Sequence, residues 1–210
     1  MVAGVVRVCR RTGGKMRIID ISQEVLSCKV FPGDDSPKAE LVKSMKDGEL
    51  YNLFVLSMCA HNGTHIDAPF HFLDDGKTVE QIPLDAFAGD CYVARHEGDV
   101  TEEDACEILK KAEAAGAKER ILIGGTATVT LEAAKVFAEA GVKLIGNESQ
   151  TVGPEDAPMA VHLVLLAKEI VLLEGLVLTE VPEGKYFLNA APLNFAGFDG
   201  APCRAWLMEY

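Results

Sequence analysis

The sequence predicts an α/β protein with a mixed β-sheet and flanking helices. Two observations lead to this class: short apolar runs bounded by turn residues, and amphipathic segments that alternate with such runs in the second half of the 210-residue chain. Alternation of this kind indicates a partly parallel sheet covered by helices. A (β/α)₈ barrel needs more residues and a more regular alternation, so we expect a single mixed sheet instead.

The first half of the chain is expected to contain strands around one histidine-rich segment. Strands are predicted over 17–21, 41–46 and 50–59, and the sequence Lys-Asp-Gly-Glu at 46–49 predicts a hairpin turn between the last two. The Pro-Gly pair within Phe31–Asp35 predicts a separate turn. The strand at 50–59 leads directly into the histidines, so we expect a rigid sheet edge to present them.

Helix start and stop signals organise the second half. Thr101 is followed by three acidic residues, which favour a helix N-terminus, and Gly116 closes that helix. Thr130 and Gly141 bound the next helix in the same way. Helices are therefore predicted over 101–115, 130–141 and 157–168, and strands over 91–95, 120–124, 142–146, 169–174, 186–191 and 204–208.

Residues 1–15 differ in charge from the rest of the chain. Basic residues without an acid occupy the start of the sequence, at Arg7, Arg10, Arg11, Lys15 and Arg17. Such a segment is either a targeting peptide or a non-native leader that precedes a natural start at Met16. We favour the leader, which leaves one domain over 16–210.

The overall charge restricts the kind of partner. The net charge of -12 disfavours nucleic acid and anionic membrane surfaces, and a small molecule fits better. No run approaches the roughly 20 apolar residues of a membrane helix. The six cysteines are scattered without a C-x-x-C pair, so we interpret them as reduced thiols of a cytoplasmic protein.

The segment His61–His71 carries three imidazoles and a carboxylate within eleven residues. Gly63 and Pro69 disfavour a helix, so the segment is expected to be extended and bent at these two positions. The side-chain period of an extended chain is two, which places the four polar groups on one side. These are His61, His65, Asp67 and His71.

Imidazoles together with a carboxylate predict a metal site with open coordination positions, which is the catalytic rather than the structural pattern. Asp67 could bridge two cations, and a second cation would need further ligands. His162 and Glu174 are candidates, although by sequence alone a packed histidine on an apolar helix is the more usual explanation of His162, and Glu174 could be a solvated residue at a strand end. His96 lies in a polar run and is most simply part of an exposed loop.

The eleven-residue segment resembles the H-x-G-T-H-x-D-x-P-x-H signature of the cyclase family of metal-dependent hydrolases, which includes bacterial kynurenine formamidases. The resemblance extends to three further segments of the chain, Asp20–Ser22, Phe31–Asp34 and Gly200–Ala205. The later histidine and glutamate of the family are twelve residues apart, and His162 and Glu174 keep this spacing. The resemblance implies the swivelling β/β/α fold of that family.

The resemblance also implies how the metal ligands are divided. His61, His65 and Asp67 would hold one cation, while Asp67 and Glu174 would bridge to a second cation that His162 completes. Zinc is the metal expected for this mixture of imidazole and carboxylate, with two ions per chain, and manganese is the alternative. A homodimer or a higher homo-oligomer is implied by the resemblance alone.

The remaining implied roles concern the reaction. His71 would transfer a proton, since imidazole can take and give one near neutral pH, and Phe31 would contact the substrate. The leading hypothesis is an arylformamidase of tryptophan catabolism, which converts N-formylkynurenine to kynurenine and formate. Hydrolysis of a lactam or another small amide by the same centre is one alternative, and a catalytically silent relative that only binds metal or ligand is another.

Two departures from the formamidase pattern leave the substrate open. The formamidases usually carry an Arg-Thr pair and an aromatic-rich insertion after the strand at 120–124, whereas this chain continues with Gly125-Thr126-Ala127-Thr128. The segment 146–151 carries a glutamate where an aspartate is commoner. Neither change touches the predicted metal ligands.

Overall fold

The computed structural model describes residues 8–10 and 17–209, and most of the predicted leader lies outside them. The strands are β1 Val8–Arg10, β2 Arg17–Asp20, β3 Lys38–Lys43, β4 Leu53–Ser57, β5 His65–Asp67, β6 Ala88–Arg95, β7 Gly98–Val100, β8 Arg120–Gly124, β9 Ala127–Val129, β10 Leu144–Asn147, β11 Val171–Glu174, β12 Gly184–Asn189, β13 Gly200–Pro202 and β14 Trp206–Glu209. The α-helices are α1 Leu84–Phe87, α2 Glu102–Ala114, α3 Leu131–Glu139 and α4 Met159–Leu166. Single 3₁₀ turns occupy Val25–Ser27, Met45–Asp47, Pro69–His71 and Val79–Gln81.

Ten strands form one mixed sheet in the order β1-β2-β14-β12-β6-β8-β10-β11-β5-β13. The central strands β6, β8, β10 and β11 are parallel to one another, as the alternation of strands and helices predicts. The outer strands pair antiparallel on both sides. The predicted α/β class with a mixed sheet is therefore confirmed, and two small two-stranded sheets, β3-β4 and β7-β9, lie beside the main one.

Each face of the main sheet carries its own apolar core, because successive strand residues point to opposite sides. Ile121 and Ile123 of β8 belong to the core beneath helices α2, α3 and α4. Leu122, between them, belongs to the opposite core. That second core joins Ile19 of β2 to Ile66 of β5, which lie near opposite ends of the strand order. The sheet is consequently curled.

The two ends of the described chain meet within this curled sheet. The Asp20 carboxylate accepts hydrogen bonds from the Arg204 guanidinium, one of them 3.0 Å long, and the Ile21 amide donates to the Ala205 carbonyl at 3.1 Å. These residues belong to the first and last segments of the family resemblance. The first and last segments of the family resemblance are therefore adjacent in the structure.

The strands β3 and β4 form the predicted hairpin, and Gly48 at its turn has a φ of 90°. One detail of the prediction is wrong, because β4 does not present the histidines from a sheet edge. The chain leaves β4, turns through a loop that holds His61, and enters β5, which lies inside the main sheet between β11 and β13.

Candidate metal centre

Strand β5 is the base of the site. His65 and Asp67 are two residues apart and therefore share one face of the strand, as the period of two predicts. Glu174 of β11 pairs directly with His65 across the sheet, so its carboxylate lies on the same face. All three side chains are buried, with at most 2% of each residue exposed. Two carboxylates and an imidazole thus occupy the sheet interior.

Hydrogen bonds fix the ring orientation of three histidines around these carboxylates. The Nδ1 atoms of His65 and His162 donate to the carbonyls of Gly63 and Pro158, each at 2.9 Å. Their Nε2 atoms then face the carboxylates: His65 lies 3.4 Å from Asp67 and 3.5 Å from Glu174. For His162 the corresponding distances are 3.5 and 3.3 Å.

His61 approaches the same carboxylate from the loop that precedes β5. Its Nδ1 lies 2.8 Å from Asp67 Oδ1, while its Nε2 lies 2.9 Å from Asp199 Oδ2. One ring nitrogen of each of three imidazoles therefore points at the pair Asp67 and Glu174, and the other is held by an oxygen. A metal-binding histidine is oriented in this way when its second nitrogen donates to a carbonyl or carboxylate.

The charges of the cluster are strongly coupled. Burial disfavours the imidazolium form of His61, His65 and His162, but the adjoining carboxylates outweigh it and raise the pKa of each to about 10. Burial likewise opposes ionisation of Asp67, yet the imidazoles, His61 foremost, hold its pKa well below the ordinary value. Positive charge is therefore needed to balance this buried carboxylate.

The chemistry of the donors fits a cation. Nitrogen and oxygen ligands are present, their free atoms converge, and the second nitrogens of the rings are already paired. The ligand atoms of His65, Asp67 and Glu174 all lie within 4.8 Å of one another, as do those of His61, Asp67 and His71. In the second group, His71 lies close enough to be a ligand, whereas the sequence predicts that it transfers a proton.

Asp199 is a site residue that sequence reasoning missed. Its carboxylate accepts from His61 Nε2 and from His71 Nδ1, both at 2.9 Å, and these bonds hold the pKa of Asp199 well below its ordinary value. The residue follows β12 in a glycine-rich loop, and its only sequence signal is its position immediately before Gly200. A Cβ atom at Gly200 would lie 2.5 Å from the His61 ring, so the absence of a side chain there makes room for the imidazole.

A cavity of about 280 Å³ opens onto the cluster. It brings together all the predicted site residues except Asp67, which is buried beneath it. The lining residues are Phe31, Asp34, His61, His65, His71, Phe72, Gln150, Thr151, Pro158, His162 and Glu174. No lysine or arginine is among them. His96, by contrast, lies in the loop between β6 and β7, where its Nε2 is 3.0 Å from the Asp99 carbonyl.

Two phenylalanines, Phe31 and Phe72, line the cavity. Phe31 comes from the turn at Phe31–Asp34, whose Asp34 amide donates to the Phe31 carbonyl at 3.1 Å as the Pro-Gly pair predicts. Phe72 follows His71 and packs against the ring of His162, with ring centroids 4.8 Å apart. Both side chains therefore give the cavity wall flat apolar surface.

Imidazoles and carboxylates that converge at a small cavity are typical of enzymes that act on small molecules at a metal site, and this mixed α/β protein has that arrangement. Comparison with known proteins narrows this class. Residues 19–154 match the Cyclase family, described as "Putative cyclase". The chain therefore belongs to the cyclase family, and it is a hydrolase.

Individual relatives agree with this placement. A kynurenine formamidase from Erythrobacter litoralis is 34% identical, over 92% of this chain and 94% of its own. A kynurenine formamidase from Salinibacter ruber is also 34% identical, over 92% and 98%.

Solved structures share the fold. One described as a potential metal-dependent hydrolase with cyclase activity has a TM-score of 0.78 at 25% identity and covers 93% of this chain and 98% of its own. Isatin hydrolase A from Labrenzia aggregata has a TM-score of 0.77 at 22% identity, over 92% and 93%. Among the described residues, no helix is long and apolar enough to cross a bilayer.

Proposed function

We propose that the chain is a metal-dependent amidohydrolase that cleaves the C-N bond of a small aryl amide, with N-formylkynurenine as the leading substrate. The observation that carries this proposal is the convergence of three oriented imidazoles on Asp67 and Glu174, with His71 beside them at the cavity. The 34% identity to two kynurenine formamidases supports the choice of substrate.

The ligands are proposed to divide as the family resemblance implies. His61, His65 and Asp67 would hold one cation, and His162 with Asp67 and Glu174 would hold a second. Zinc is proposed as the metal and manganese as the alternative, because both accept nitrogen and oxygen donors. Bound there, such a cation would supply Lewis acidity toward the amide carbonyl and toward water.

The protein side chains then manage the proton. The hydrogen bond from His71 Nδ1 to Asp199 leaves Nε2 for exchange with the substrate. In amide hydrolysis a water molecule adds to the carbonyl carbon, the C-N bond breaks, and one proton moves from that water to the departing nitrogen. We assign this transfer to His71, with Phe31 and Phe72 as the walls that hold the aromatic ring of the substrate.

The experiment is a comparison of substrates with metal-loaded protein. N-formylkynurenine and a panel of small cyclic amides are incubated with the enzyme, and formate release and ring opening are measured. Formate together with kynurenine is the expected result. Ring opening of a lactam without any formate would contradict the leading substrate, and no turnover of any amide would favour the catalytically silent alternative.

A neutral cyclic amide is the second candidate substrate, on one specific observation. Among the residues that the structure describes, the cavity lining has no lysine or arginine to pair with the carboxylate of an amino-acid substrate. A compact neutral lactam needs no such partner. The shared fold with isatin hydrolase A is consistent with this candidate but shows the fold alone.

We also propose that the chain forms a homodimer through the β3-β4 hairpin. The hairpin and its turn expose nine large apolar side chains, namely Leu41, Val42, Met45, Leu50, Tyr51, Leu53, Phe54, Val55 and Leu56. At about 100 Å² each they expose on the order of 900 Å², comparable to the roughly 800 Å² that each partner contributes to a standard interface. Residues 50–58 carry no charge in a chain of net charge -12, so a second copy can approach here without repulsion.

Light scattering after size exclusion tests this interface. Phe54→Asp in the hairpin is expected to yield monomers at micromolar concentration, since it places a charge in the middle of the apolar surface. Leu84→Asp, at an exposed position of α1, is the matched control and should leave the mass unchanged. A dimer that persists in the Phe54→Asp variant would contradict this interface.

Cytoplasmic localisation is also a proposal. It is supported by the five cysteines whose side chains the structure describes, all of which are free thiols.

A further inference from the structure

Two buried polar side chains at the cavity have no partner in the described protein. Gln150 and Thr151 follow β10, and only 4% and 3% of them are exposed. Neither the Oε1 and Nε2 atoms of Gln150 nor the Oγ1 atom of Thr151 makes a hydrogen bond with the described residues. Both residues line the cavity of the metal centre. They are the only lining residues with this property.

Burial of unpaired polar atoms costs free energy, so such atoms in a cavity wall indicate a site prepared for a ligand. The absence of a side chain at Gly175 leaves room for the Gln150 carboxamide. Gly175 has a φ of 67°, and a Cβ atom there would lie 2.4 Å from Gln150 Nε2. Packing against this glycine holds the carboxamide close to the catalytic cluster, because Gly175 directly follows Glu174.

The chemistry of these atoms indicates what they recognise. A carboxamide offers two donors and an acceptor and carries no charge, and a hydroxyl can donate or accept. Gln150 and Thr151 carry no charge, and the described residues of the lining include no lysine or arginine. A neutral carbonyl or carboxamide would therefore find a hydrogen-bond donor in these two side chains without needing a charged partner.

We propose that Gln150 and Thr151 form the specificity site of this enzyme and bind a neutral carbonyl or carboxamide group that lies beside the scissile amide. This inference rests on the proposed amidohydrolase function and adds the substrate feature that is selected.

Binding can test the site without turnover. On metal-loaded protein, calorimetry compares 2-aminoacetophenone, which carries a neutral ketone beside its amine, with aniline, which lacks it. The wild type is expected to bind the ketone at least tenfold more tightly. Gln150→Leu, which keeps the size but removes both polar functions, should abolish most of this preference, and Thr151→Val should reduce it. Thr128→Val on β9 is the matched control and should keep the wild-type preference.

Turnover supplies the second readout. The ratio of kcat/KM for 2′-formamidoacetophenone over formanilide should fall about tenfold in Gln150→Leu, mainly through KM, because binding of the ketone is lost in ground and transition state alike. The unfolding temperature of this variant should not fall, since it removes unpaired buried atoms. A merely structural glutamine would instead lower stability and affect both substrates equally.

The outcomes separate the two proposals. Ketone preference that depends on Gln150 without any amide turnover would support the specificity site and overturn the amidohydrolase function. Turnover of both formamides with no ketone preference, or with a preference unchanged in Gln150→Leu, would overturn the specificity site alone. Absence of both preference and turnover would overturn both.

Discussion

Asp199 connects the two kinds of histidine at the site. One carboxylate oxygen, Oδ2, lies 2.9 Å from both His61 and His71, and the two rings lie side by side with centroids 4.2 Å apart. Orientation of a proposed metal ligand and of the proposed proton carrier therefore depends on the same side chain. A loop after β12 thus completes a site whose other members come from β5, from the segments on either side of β5, from β11 and from α4.

Replacement of Asp199 by Asn should lower kcat about 10- to 100-fold, the usual range for a group that orients a ligand. The asparagine amide keeps the size of the side chain, but its oxygen lacks the negative charge with which Asp199 accepts from the two imidazoles. Metal content should stay above half of the wild-type value, measured by elemental analysis beside the rate. Wild-type kcat in this variant would show that the two hydrogen bonds have no part in the reaction.

At the residue scale, the sequence predicts those site residues that ligand type and local spacing can identify. The alternation in His65 and Asp67 placed them on one face, and the structure has them there. Asp199 could not be found in this way, because its contact with His61 spans 138 positions and depends on the curl of the sheet. Gln150 was likewise invisible, since an unpaired buried amide is a property of packing.

At the scale of elements, helix caps and apolar runs predicted most of the structure. Helix α2 begins after Thr101, whose hydroxyl accepts from the Asp104 amide, and β8 has the predicted bounds. The exceptions are helix α1 and the strands β5, β7, β9 and β13, which were not predicted because three or four residues are too short for a pattern. Parallel strands are buried on both faces, which is why their apolar runs were easier to identify.

Ile66 anchors β5 between the two ligands His65 and Asp67, and it is fully buried. Ile66→Ala should lower the free energy of unfolding by about 3 kcal/mol, because the cavity it leaves adds to the lost burial. Urea denaturation of the metal-free protein measures this change. Leu193→Ala, at an exposed site in the C-terminal segment, is the control and should shift stability by less than about 0.5 kcal/mol.

At the scale of the molecule, the curled sheet separates an apolar core from the reactive cavity. Cys91 of β6 lies in that core with no exposed surface, and burial raises the pKa of its thiol to about 12. Cys106 of α2 is exposed on the outside. The overall curl was not predicted from composition, since it follows from contacts between β2, β14 and β5 that no local pattern encodes.

Thiol labelling should report this division. Because a raised pKa keeps the Cys91 thiol protonated, the folded protein should protect it from iodoacetamide throughout pH 7 to 9, while Cys106 is alkylated. Mass spectrometry of peptides after labelling measures both sites in one sample. Modification of Cys91 at the rate of Cys106 in the folded state would show that the core opens.

The central claim is the division of labour between metal ligands and His71, and metal content measures it most directly. Elemental analysis of His71→Ala, prepared beside the wild type with zinc, should give the wild-type number of ions per chain, while formate release from N-formylkynurenine is lost. The ligand atoms of His71, His61 and Asp67 lie within 4.8 Å of one another, so the geometry also permits His71 to be a ligand. Loss of an ion in His71→Ala would make His71 a ligand and contradict the account.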